Sequence, residues 1–328
     1  MDDFERELGG DLLASVSRSF YLSLKILPRE IRNAASLGYL LARATDTVAD
    51  TQAIATEERL QVLAAMGQAV AGQGVVPDFT ALLGKKAGED NTDAELDCLR
   101  QFRSLLGYFD HMPESQVEAI KRVVASVVRG QTDDIRRFSG DQCAVLESAQ
   151  QLEQYTYDVA GCVGVFWTEL GYGAYGDSYA VLPRGEMDQL GKEYGKALQL
   201  INILRDFPED LQSGRCYIPG VDPASGGRRI WQQDALAWRR RCRELLTSAG
   251  TYIDAVNSRR LRLATALPAL IGARTLTLLS EAKWEEVEQR IKVERKQVKG
   301  LLRKALIASF RRRSLGKLFE ALLVDCPQ

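Results

Sequence analysis

The sequence has few of the residues that build zinc sites, disulfide frameworks or Ser-His-Asp triads. Its 328 residues include one histidine, His111, and six cysteines without CxxC spacing. A zinc site needs clustered Cys and His ligands, and a catalytic triad would have to be built on His111. Scattered cysteines are typical of proteins in a reducing compartment. We therefore expect none of these three kinds of site, and we expect a cytoplasmic protein.

The sequence also lacks a targeting or membrane-spanning pattern. Its first residues, Met1 to Glu5, are acidic and have no apolar core, so we expect no secretory signal. The longest uncharged apolar runs, such as Leu263 to Ala273, are too short to cross about 30 Å of hydrocarbon. A formal net charge of -1 argues against nucleic acid as a partner. We expect a globular chain that does not itself cross a membrane.

Signals for β-strands are scarce, because alternating runs are few and Asn-Gly turns are absent. Apolar residues instead recur at helical spacing, as at Val117, Ile120 and Val124. The pattern predicts a single all-α domain over residues 1–328. It also predicts three breaks rich in Gly, Pro or polar residues, at Gly72–Asn91, Gly171–Gly185 and Gln212–Arg229. The last break is either a plain connection or a lid that closes over substrate.

Two short segments each carry two aspartates four residues apart, Asp46 with Asp50 and Asp206 with Asp210. Residues at this spacing lie on one face of a helix, roughly 5–6 Å apart at Cβ. Two carboxylates aimed at one spot repel each other unless they bind a cation. The spacing therefore predicts a site for hard divalent ions, and Mg2+ that holds a diphosphate fits it best.

The first pair belongs to a longer polar stripe. Tyr39, Arg43, Asp46 and Asp50 lie at positions i, i+4, i+7 and i+11, which form one face of a continuous helix. The stripe is either a ladder of surface ion pairs or a polar face that lines an internal cavity. Burial without partners would cost free energy. The apolar residues around the stripe favour the cavity; they are Leu37, Leu40, Leu41, Ala44 and Val48.

The second pair repeats the pattern, with Asn202, Asp206 and Asp210 at four-residue intervals and Arg205 beside them. Pro208 lies between the two aspartates. Because proline lacks an N–H and clashes with the carbonyl four residues earlier, we expect the helix to kink or end there. This makes Asp206 a firmer candidate ligand than Asp210.

Further segments add candidate contacts for a phosphate or an apolar ligand. Arg215 and Tyr217 follow the second pair, and Ser17–Phe20 contains a guanidinium and two hydroxyls suited to phosphate oxygens. The small residues of Tyr155–Gly164 either allow close helix packing or leave room for a long apolar ligand. The segment Lys283–Lys317 is densely basic, and is either a solvated helix face or a contact for an anionic membrane surface or a cofactor.

Together these segments resemble the squalene/phytoene synthase family, whose members join two prenyl diphosphates head to head. The resemblance covers most of the chain, roughly residues 15–300, and its motifs occur in the family's order. The matching motifs are Ser17–Phe20, Tyr39–Asp50, Tyr155–Gly164, and Gln199–Asp206 continuing through Arg215–Pro219. The resemblance implies a single all-α isoprenoid-synthase domain around a central cavity.

The resemblance implies condensation of two farnesyl diphosphates to presqualene diphosphate, followed by NADPH-dependent reduction to squalene. The first motif, Asp-Thr-Val-Ala-Asp at 46–50, looks like the squalene synthase version, since phytoene synthases more often show Asp-Glu-Leu-Val-Asp. Sister enzymes that omit the reduction and make phytoene, dehydrosqualene or hydroxysqualene are the alternative. A non-catalytic assembly factor of the same fold is a further alternative, although all four motif aspartates are present. The Asp-Asp-x-x-Asp signature of head-to-tail prenyltransferases is missing.

The resemblance also assigns roles to individual residues. The residues that would hold Mg2+ are Asp46, Asp50, Asn202, Asp206 and Asp210. Those that would complement the diphosphate charge are Arg18, Arg43, Arg205 and Arg215. Tyr155 matches the family tyrosine near the proton loss. The apolar walls that would exclude water lie at Val159, Val163 and Gly164, and the remaining substrate-binding residues are Ser19, Phe20, Tyr39 and Tyr217.

The implied NADPH site is in the C-terminal part of the chain. Lys292 and Arg295 lie in a basic stretch that looks like the one squalene synthases use near NADPH. Arg262 and Ala264 stand before Pro268, where animal enzymes have aromatic residues. The hydrocarbon product also implies a peripheral contact with the cytoplasmic membrane for product release. The oligomeric state stays open.

Overall fold

The computed structural model describes residues 11–17, 20–51, 54–80, 82–84, 92–140 and 142–324. Helices make up nearly all of its regular structure, which confirms the all-α fold class. The chain divides into two compact units, Met1–Ser139 with Glu169–Ala174, and Gly140–Thr168 with Tyr175–Gln328. The single domain over residues 1–328 and its central cavity stay predictions.

The first unit is built from helices that flank one long central helix. In chain order they are α1 (Asp11–Ser17), α2 (Phe20–Ile26), α3 (Arg29–Asp50), α4 (Thr56–Ala71), α5 (Asp93–Arg100), α6 (Phe102–Gly107), a 3-10 turn (Tyr108–His111) and α7 (Glu114–Arg137). α3 packs against α4 and α7. Its Leu37, Leu40 and Leu41 are completely buried. Tyr39, Arg43 and Asp46 are only partly buried and Asp50 is exposed, so these four residues form a polar stripe beside the buried apolar residues of α3.

The start of α5 is fixed by a capping box. The Thr92 hydroxyl accepts from the Glu95 N–H, and the Glu95 carboxylate accepts from the Thr92 N–H. These bonds satisfy two donors that the first turn of a helix would otherwise leave unpaired. They also fix the Glu95 side chain, which contacts Arg43 through its other oxygen.

The second unit is organised around one helix of 29 residues, α10. In chain order its elements are β1 (Ala144–Val145), α8 (Ala149–Thr156), a π-helical segment (Tyr157–Gly161), α9 (Cys162–Tyr175, of which Glu169–Ala174 are assigned to the first unit), a 3-10 turn (Gly176–Ser178), α10 (Arg184–Gln212), β2 (Arg215–Cys216), a 3-10 turn (Pro223–Ser225), α11 (Gly227–Gln233), α12 (Ala235–Ala255), α13 (Arg259–Glu281), α14 (Trp284–Glu288), α15 (Arg295–Ala308) and α16 (Ser314–Val324). α10 packs against α12, α13 and the π-helical segment.

Helix α13 forms part of the core of this unit. Within the described ranges it is the one helix whose length and composition would allow it to cross a membrane, and 72% of its apolar window is buried. Burial of this extent is typical of a core helix. It packs against α12, α15 and α16 as well as α10.

Glycines let α10 approach the π-helical segment and α9 very closely. A Cβ on Gly164 would lie 1.8 Å from the Gly191 carbonyl oxygen, and a Cβ on Gly195 would lie 2.2 Å from the Ala160 carbonyl oxygen. No side chain larger than hydrogen fits such contacts without a shift of the backbone. The small residues of Tyr155–Gly164 therefore serve close helix packing, one of the two alternatives that the sequence left open.

Some predicted boundaries differ from the structure. α9 continues to Tyr175 and α10 begins at Arg184, so the break predicted at Gly171–Gly185 is shorter. The break predicted at Gln212–Arg229 contains β2 and a 3-10 turn and ends in α11. Strands β1 and β2 pair in parallel over two residues each, and no sequence signal indicated them.

The sequence predicted that the helix either kinks or ends near Pro208, and the second alternative is wrong. α10 runs through Pro208 to Gln212. A proline inside a helix costs about 3 kcal/mol, because it removes a hydrogen bond and crowds the preceding turn. Tertiary packing opposes that cost, since Phe207 and Pro208 are buried and the Phe207 ring stacks on Trp231 at 6.1 Å between centroids. Asp206 and Asp210 consequently lie on successive turns of one helix.

Candidate active site

In the first unit, Arg43 connects two carboxylates. Its Nη1 lies 2.8 Å from Asp46 Oδ2, and its Nη2 lies 2.7 Å from Glu95 Oε1. The second oxygen of Asp46 accepts a hydrogen bond of 2.5 Å from Gln131 Nε2 on α7. The Asp46 side chain is 35% exposed. Both oxygens are therefore fixed in direction while the carboxylate stays accessible to a ligand.

This cluster contains two buried polar atoms that lack a hydrogen-bond partner among the described residues. They are Nε of Arg43 and Oε1 of Gln131. A buried polar atom without a partner costs free energy, so its presence in a folded protein calls for a functional explanation. Gln131 is only 7% exposed, and its amide nitrogen is committed to Asp46. A donor or cation beside Asp46 would satisfy the amide oxygen.

The charges of this cluster are set by burial and by the neighbouring groups. Although a third of the Asp46 side chain is exposed, the protein atoms packed around its carboxylate keep water away and raise its pKa, and the contacts with Arg43 and Gln131 lower it in part. Burial lowers the pKa of Arg43, but Asp46, Tyr39 and Glu95 together raise it more, so the guanidinium stays charged. Burial raises the pKa of Tyr39 to about 12, which keeps its hydroxyl protonated at neutral pH.

The other predicted residues of the first unit lie near this stripe. The Tyr39 hydroxyl donates to the Val16 carbonyl at 3.1 Å, and its ring contacts Phe20 at 5.4 Å between centroids. Asp50 is the exposed last residue of α3, one helical turn beyond Asp46. Arg18 and Ser19 lie outside the described residues.

In the second unit, Asp206 is held by two arginines. Arg205 bonds both of its oxygens, Nε to Oδ1 at 2.8 Å and Nη2 to Oδ2 at 2.5 Å. Arg290 adds a bond from its Nε to Asp206 Oδ1 at 2.9 Å and reaches Glu209 through Nη1 at 3.1 Å. The hydrogen bond with Asp206 raises the pKa of Arg205. Such charge-assisted contacts are among the stronger hydrogen bonds in proteins.

The same part of the second unit forms a small cleft of about 190 Å³. Its lining residues are Arg205, Asp206, Pro208, Glu209, Gln212, Val287, Glu288 and Arg290. One turn further along α10, Asp210 Oδ1 lies 3.0 Å from Arg215 Nη2, and the Asp210 side chain is 14% exposed. Asp206, Glu209 and Asp210 are thus each matched by at least one guanidinium, and the sequence had indicated Arg205 and Arg215 for this role.

The predicted aromatic residues also meet in this unit. The rings of Tyr155 and Tyr217 stack with centroids 5.0 Å apart and planes 23° apart.

Asn202 is exposed on α10, and its Nδ2 donates weakly to Gln199 Oε1 at 3.4 Å. Val159 and Val163 are partly exposed, on the π-helical segment and α9. Their role as substrate walls stays a prediction, as does that of Gly164, whose surroundings are backbone of α10.

Three charged or polar residues of these clusters were not predicted from the sequence. Gln131 lies on the buried stripe of α7, so a polar amide among Val123, Val127 and Ile135 was the available signal. Arg290 lies inside the basic segment Lys283–Lys317, which was singled out as a whole and without a role for this residue. The only sequence signal at Glu95 was its capping-box spacing from Thr92, which indicates a helix start and not a contact with Arg43.

The donor set is compatible with magnesium. The candidate ligands Asp46, Asp50, Asn202, Asp206 and Asp210 offer only carboxylate and amide oxygens, which hard divalent cations prefer over nitrogen or sulfur. Within the described ranges, no group of three or more Asp, Glu, His or Cys side chains lies close enough to form a metal cluster. Such a site would thus need oxygens from a bound ligand. Magnesium that bridges protein carboxylates and a diphosphate is bound in this way.

The residues of the implied NADPH site differ in their surroundings. Lys292 and Arg295 are exposed and lie within the basic segment Lys283–Lys317. Arg262 is 8% exposed, and its Nη1 donates to the carbonyls of Val256 and Asn257 at 3.0 and 2.6 Å. Arg262 therefore has a structural role at the start of α13.

Comparison with solved structures places the fold in the all-α isoprenoid-synthase class. The structure of TcSQS in complex with the ligand E5700 matches with a TM-score of 0.71, covering 99% of this chain and 98% of that chain at 20% identity. A dehydrosqualene synthase in complex with a ligand matches with a TM-score of 0.60, covering 93% of this chain and 97% of that chain at 20% identity. At this level of identity the likeness shows the fold alone.

The family follows from the sequence comparison. Residues 13–297 match the family model described as squalene/phytoene synthase. The chain belongs to the squalene/phytoene synthase family. This confirms the family that the motifs indicated.

The similar relatives include several squalene synthases. That of Eremothecium gossypii is 30% identical over 217 residues, which are 63% of this chain and 44% of the relative. That of Saccharomyces cerevisiae is 29% identical over 227 residues, or 69% of this chain and 46% of the relative. Squalene synthase 1 of Arabidopsis thaliana is 28% identical over 204 residues, or 61% and 43%. The matched part of the chain thus spans less than half the length of these relatives.

Proposed function

We propose that the protein is a Mg2+-dependent prenyltransferase that condenses two farnesyl diphosphates head to head to presqualene diphosphate. We further propose that it converts this intermediate to squalene by a reductive rearrangement, in which the second diphosphate leaves, the cyclopropylcarbinyl cation rearranges and NADPH supplies a hydride. Membership of the squalene/phytoene synthase family and the squalene synthase relatives support the first step. The Asp-Thr-Val-Ala-Asp form of the first motif, at 46–50, supports the second.

The observation that carries this proposal is the pairing of accessible carboxylates with guanidinium groups in both units. Arg43 holds Asp46, and Arg205 and Arg290 hold Asp206. A diphosphate bound through magnesium needs both kinds of group, carboxylates to bind the cation and arginines to bind the oxygens that the cation leaves unmatched. The ligands would be Asp46, Asp50, Asn202, Asp206 and Asp210. Magnesium, when bound, neutralises charge on the departing diphosphate.

The first chemical step is loss of diphosphate from an allylic carbon. The C–O bond breaks and its electron pair stays on the diphosphate, so negative charge grows at oxygen while an allylic cation forms. Arginines already oriented by carboxylates donate N–H groups to that developing charge with little reorganisation. The residues that would do so are Arg43, Arg205, Arg215 and Arg290.

The next step is addition of the second substrate. Its double bond supplies the electron pair for the new C–C bond, and loss of one proton closes the cyclopropane ring. The stacked rings of Tyr155 and Tyr217 offer π faces that stabilise a cation, and Tyr155 is our candidate for the residue near the proton loss. Val159 and Val163 would exclude water, which otherwise converts the cation to an alcohol.

A sister activity without reduction is the second candidate. Arg262 is committed to backbone carbonyls where animal enzymes have aromatic residues, which favours a different environment at the implied nicotinamide site. NADPH, when bound, would supply the hydride, and the exposed cations Lys292 and Arg295 would bind its phosphates. Without that hydride the product would be dehydrosqualene, hydroxysqualene or, from longer substrates, phytoene.

Incubation of the purified protein with farnesyl diphosphate and Mg2+, with and without NADPH, tests the proposal. We expect presqualene diphosphate to form only with Mg2+, and squalene to form only when NADPH is added as well. A hydrocarbon product that does not change with NADPH would refute the reduction and favour the sister activity. Failure to consume farnesyl diphosphate in any of these mixtures would refute the condensation.

A further inference from the structure

The C-terminal part of the second unit combines exposed apolar side chains with an excess of positive charge. Among the described residues, six large apolar side chains are exposed, and three of them lie within five positions: Leu306 at 52%, Ile307 at 74% and Phe310 at 69%. Exposed apolar side chains that occur singly are ordinary, but a cluster indicates an interaction surface.

The same segment carries positive charge without negative charge. From Arg295 to Phe319 there are nine Lys or Arg residues and no Asp or Glu, although the whole chain has a net charge of -1. All nine side chains are exposed. The carboxylates that flank the segment in the sequence are Glu294 and Glu320. On the neighbouring helix α12, Asp254 accepts a hydrogen bond from the Gly316 N–H.

Helix geometry places both features on one side of α15. Leu301 and Ala305 are buried, and α15 packs against α13 and α16. The exposed residues Lys299, Arg303, Leu306 and Ile307 lie within one to four positions of one another on α15 and share the side opposite Leu301 and Ala305. The exposed Phe310 follows in the turn after the helix, three residues beyond Ile307. We call these five residues the basic–apolar face.

The outer end of this face is held in place. The Arg259 guanidinium lies 4.3 Å from the centroid of the Phe310 ring, a cation–π contact that fixes the ring. Arg312 donates to Asn257 Oδ1 at 3.1 Å. These contacts anchor the turn after α15 to the start of α13. The face is therefore a fixed part of the second unit.

We propose that the basic–apolar face docks the protein on an anionic lipid membrane. Phe310, Ile307 and Leu306 would enter the boundary between headgroups and acyl chains, while the surrounding Lys and Arg side chains would contact anionic headgroups. A nucleic acid or another polyanion would neutralise the charge but would leave the apolar side chains in water. The membrane is the partner that matches both features, and this inference does not depend on the catalytic proposal.

Vesicle sedimentation with the full chain tests the inference. The probes are vesicles of phosphatidylcholine alone and vesicles that mix phosphatidylcholine with phosphatidylglycerol. We expect binding to the mixed vesicles that weakens with salt, and little binding to phosphatidylcholine alone. In the variant Lys299→Gln/Arg303→Gln/Lys304→Gln, the partition coefficient should fall roughly a hundredfold, at about fivefold per charge. In Leu306→Gln/Ile307→Gln it should fall about tenfold or more.

Matched controls separate this surface from general charge and hydrophobicity. The triple variant Arg103→Gln/Arg136→Gln/Arg240→Gln removes the same charge from exposed positions outside the face, and Val75→Gln removes an apolar side chain that is 85% exposed. Both should bind vesicles nearly as well as the unaltered chain. All variants should keep the same helical content and melting temperature.

Three results would overturn the inference. One is equal binding to both kinds of vesicle, which would remove the role of charge. A second is equal loss of binding in the control variants. The third is an absence of vesicle binding together with self-association that Leu306→Gln/Ile307→Gln abolishes, which would make the face a contact between two copies of the chain.

Discussion

Asp46 and Asp206 have the same kind of surroundings at the scale of single residues. Each carboxylate has both oxygens engaged, Asp46 by Arg43 and Gln131, and Asp206 by Arg205 and Arg290. Hydrogen bonds to a carboxylate fix the direction of its lone pairs. A cation or diphosphate that arrives finds these groups already oriented, which lowers the entropy lost on binding.

Gln131 is the residue that positions Asp46 from a second helix. In Gln131→Leu the Asp46 carboxylate loses one hydrogen bond, and a bond to a charged group contributes about 1.5–3 kcal/mol. We expect kcat/KM for farnesyl diphosphate to fall about 10- to 100-fold and the half-saturating Mg2+ concentration to rise. The melting temperature should change little, because the substitution also removes the unpartnered amide oxygen.

Gln116→Leu is the matched control for Gln131. It lies on the same helix, α7, but its amide donates to the Glu30 carbonyl at the protein surface. Its steady-state kinetics should be unchanged. Equal loss of activity in both variants, or an unchanged Mg2+ dependence in Gln131→Leu, would contradict the positioning role.

Arg290 is the second residue that the structure adds to the site. Its backbone adopts a left-handed φ of 59°, which is uncommon for a residue other than glycine, and its side chain contacts Asp206 and Glu209. We expect Arg290→Gln to raise the KM for farnesyl diphosphate and the inhibition constant of inorganic diphosphate by about tenfold or more, because one charge-assisted contact is lost.

Arg228→Gln provides the comparison for Arg290. Arg228 pairs with Glu285 at 2.6 Å, and both side chains are more than half exposed. Exposed pairs of this kind contribute little to stability, because water and salt screen them. Both kinetic constants should therefore stay at the values of the unaltered chain. An Arg290→Gln variant that behaves in the same way would remove Arg290 from the site.

At the scale of secondary-structure elements, α9 and α10 approach each other closely at Gly164 and Gly191. In Gly164→Ala the new Cβ would overlap the Gly191 carbonyl oxygen, so the helices must separate. We expect the free energy of unfolding to fall by about 3 kcal/mol or more, because overpacking against backbone cannot be relieved by a rotamer change. Chemical denaturation of Gly164→Ala and of the unaltered chain measures this change in the free energy of unfolding.

Gly173→Ala is the control within the same helix. A Cβ on Gly173 would meet nothing within 4 Å. Alanine is a better helix former, so the free energy of unfolding should stay the same or rise by up to about 1 kcal/mol. If Gly164→Ala unfolds at the same denaturant concentration as Gly173→Ala, the close approach of the two helices is not required.

The elements also show which features a sequence can predict. The stripe on α3 was predicted because its members are near neighbours on one helix, where spacing alone determines the face. Pro208 was misjudged because the buried Phe207 and the tryptophans around it outweigh a local penalty. The π-helical turn at Tyr157–Gly161 had no local signal either, since the close contact with α10 is a tertiary feature.

The residues that the sequence missed are distant in the chain from their partners. Gln131 is 85 residues from Asp46, and Arg290 is 84 residues from Asp206. Spacing rules connect residues within a few turns of a helix, and they cannot connect such pairs without the fold. Arg205 with Asp206, and Arg43 with Asp46, could be predicted because they are one and three residues apart.

At the scale of the whole molecule, each compact unit contributes one carboxylate–guanidinium cluster. The proposed reaction requires both, since each cluster would bind diphosphate through magnesium. Loss of charge at either aspartate should then abolish turnover without unfolding the chain. An Asp-to-Asn change keeps the size of the side chain and removes the charge that binds the cation.

The most direct measurement is Mg2+-dependent formation of presqualene diphosphate from labelled farnesyl diphosphate by Asp46→Asn and Asp206→Asn. Glu285→Gln is the control. Among the described residues, the Glu285 carboxylate forms an ion pair only with the exposed Arg228. The predicted result is a loss of at least about a thousandfold in kcat/KM for both aspartate variants, with unchanged melting temperatures and a fully active control. Turnover like that of the unaltered chain in either aspartate variant would contradict the assignment of the metal and diphosphate site.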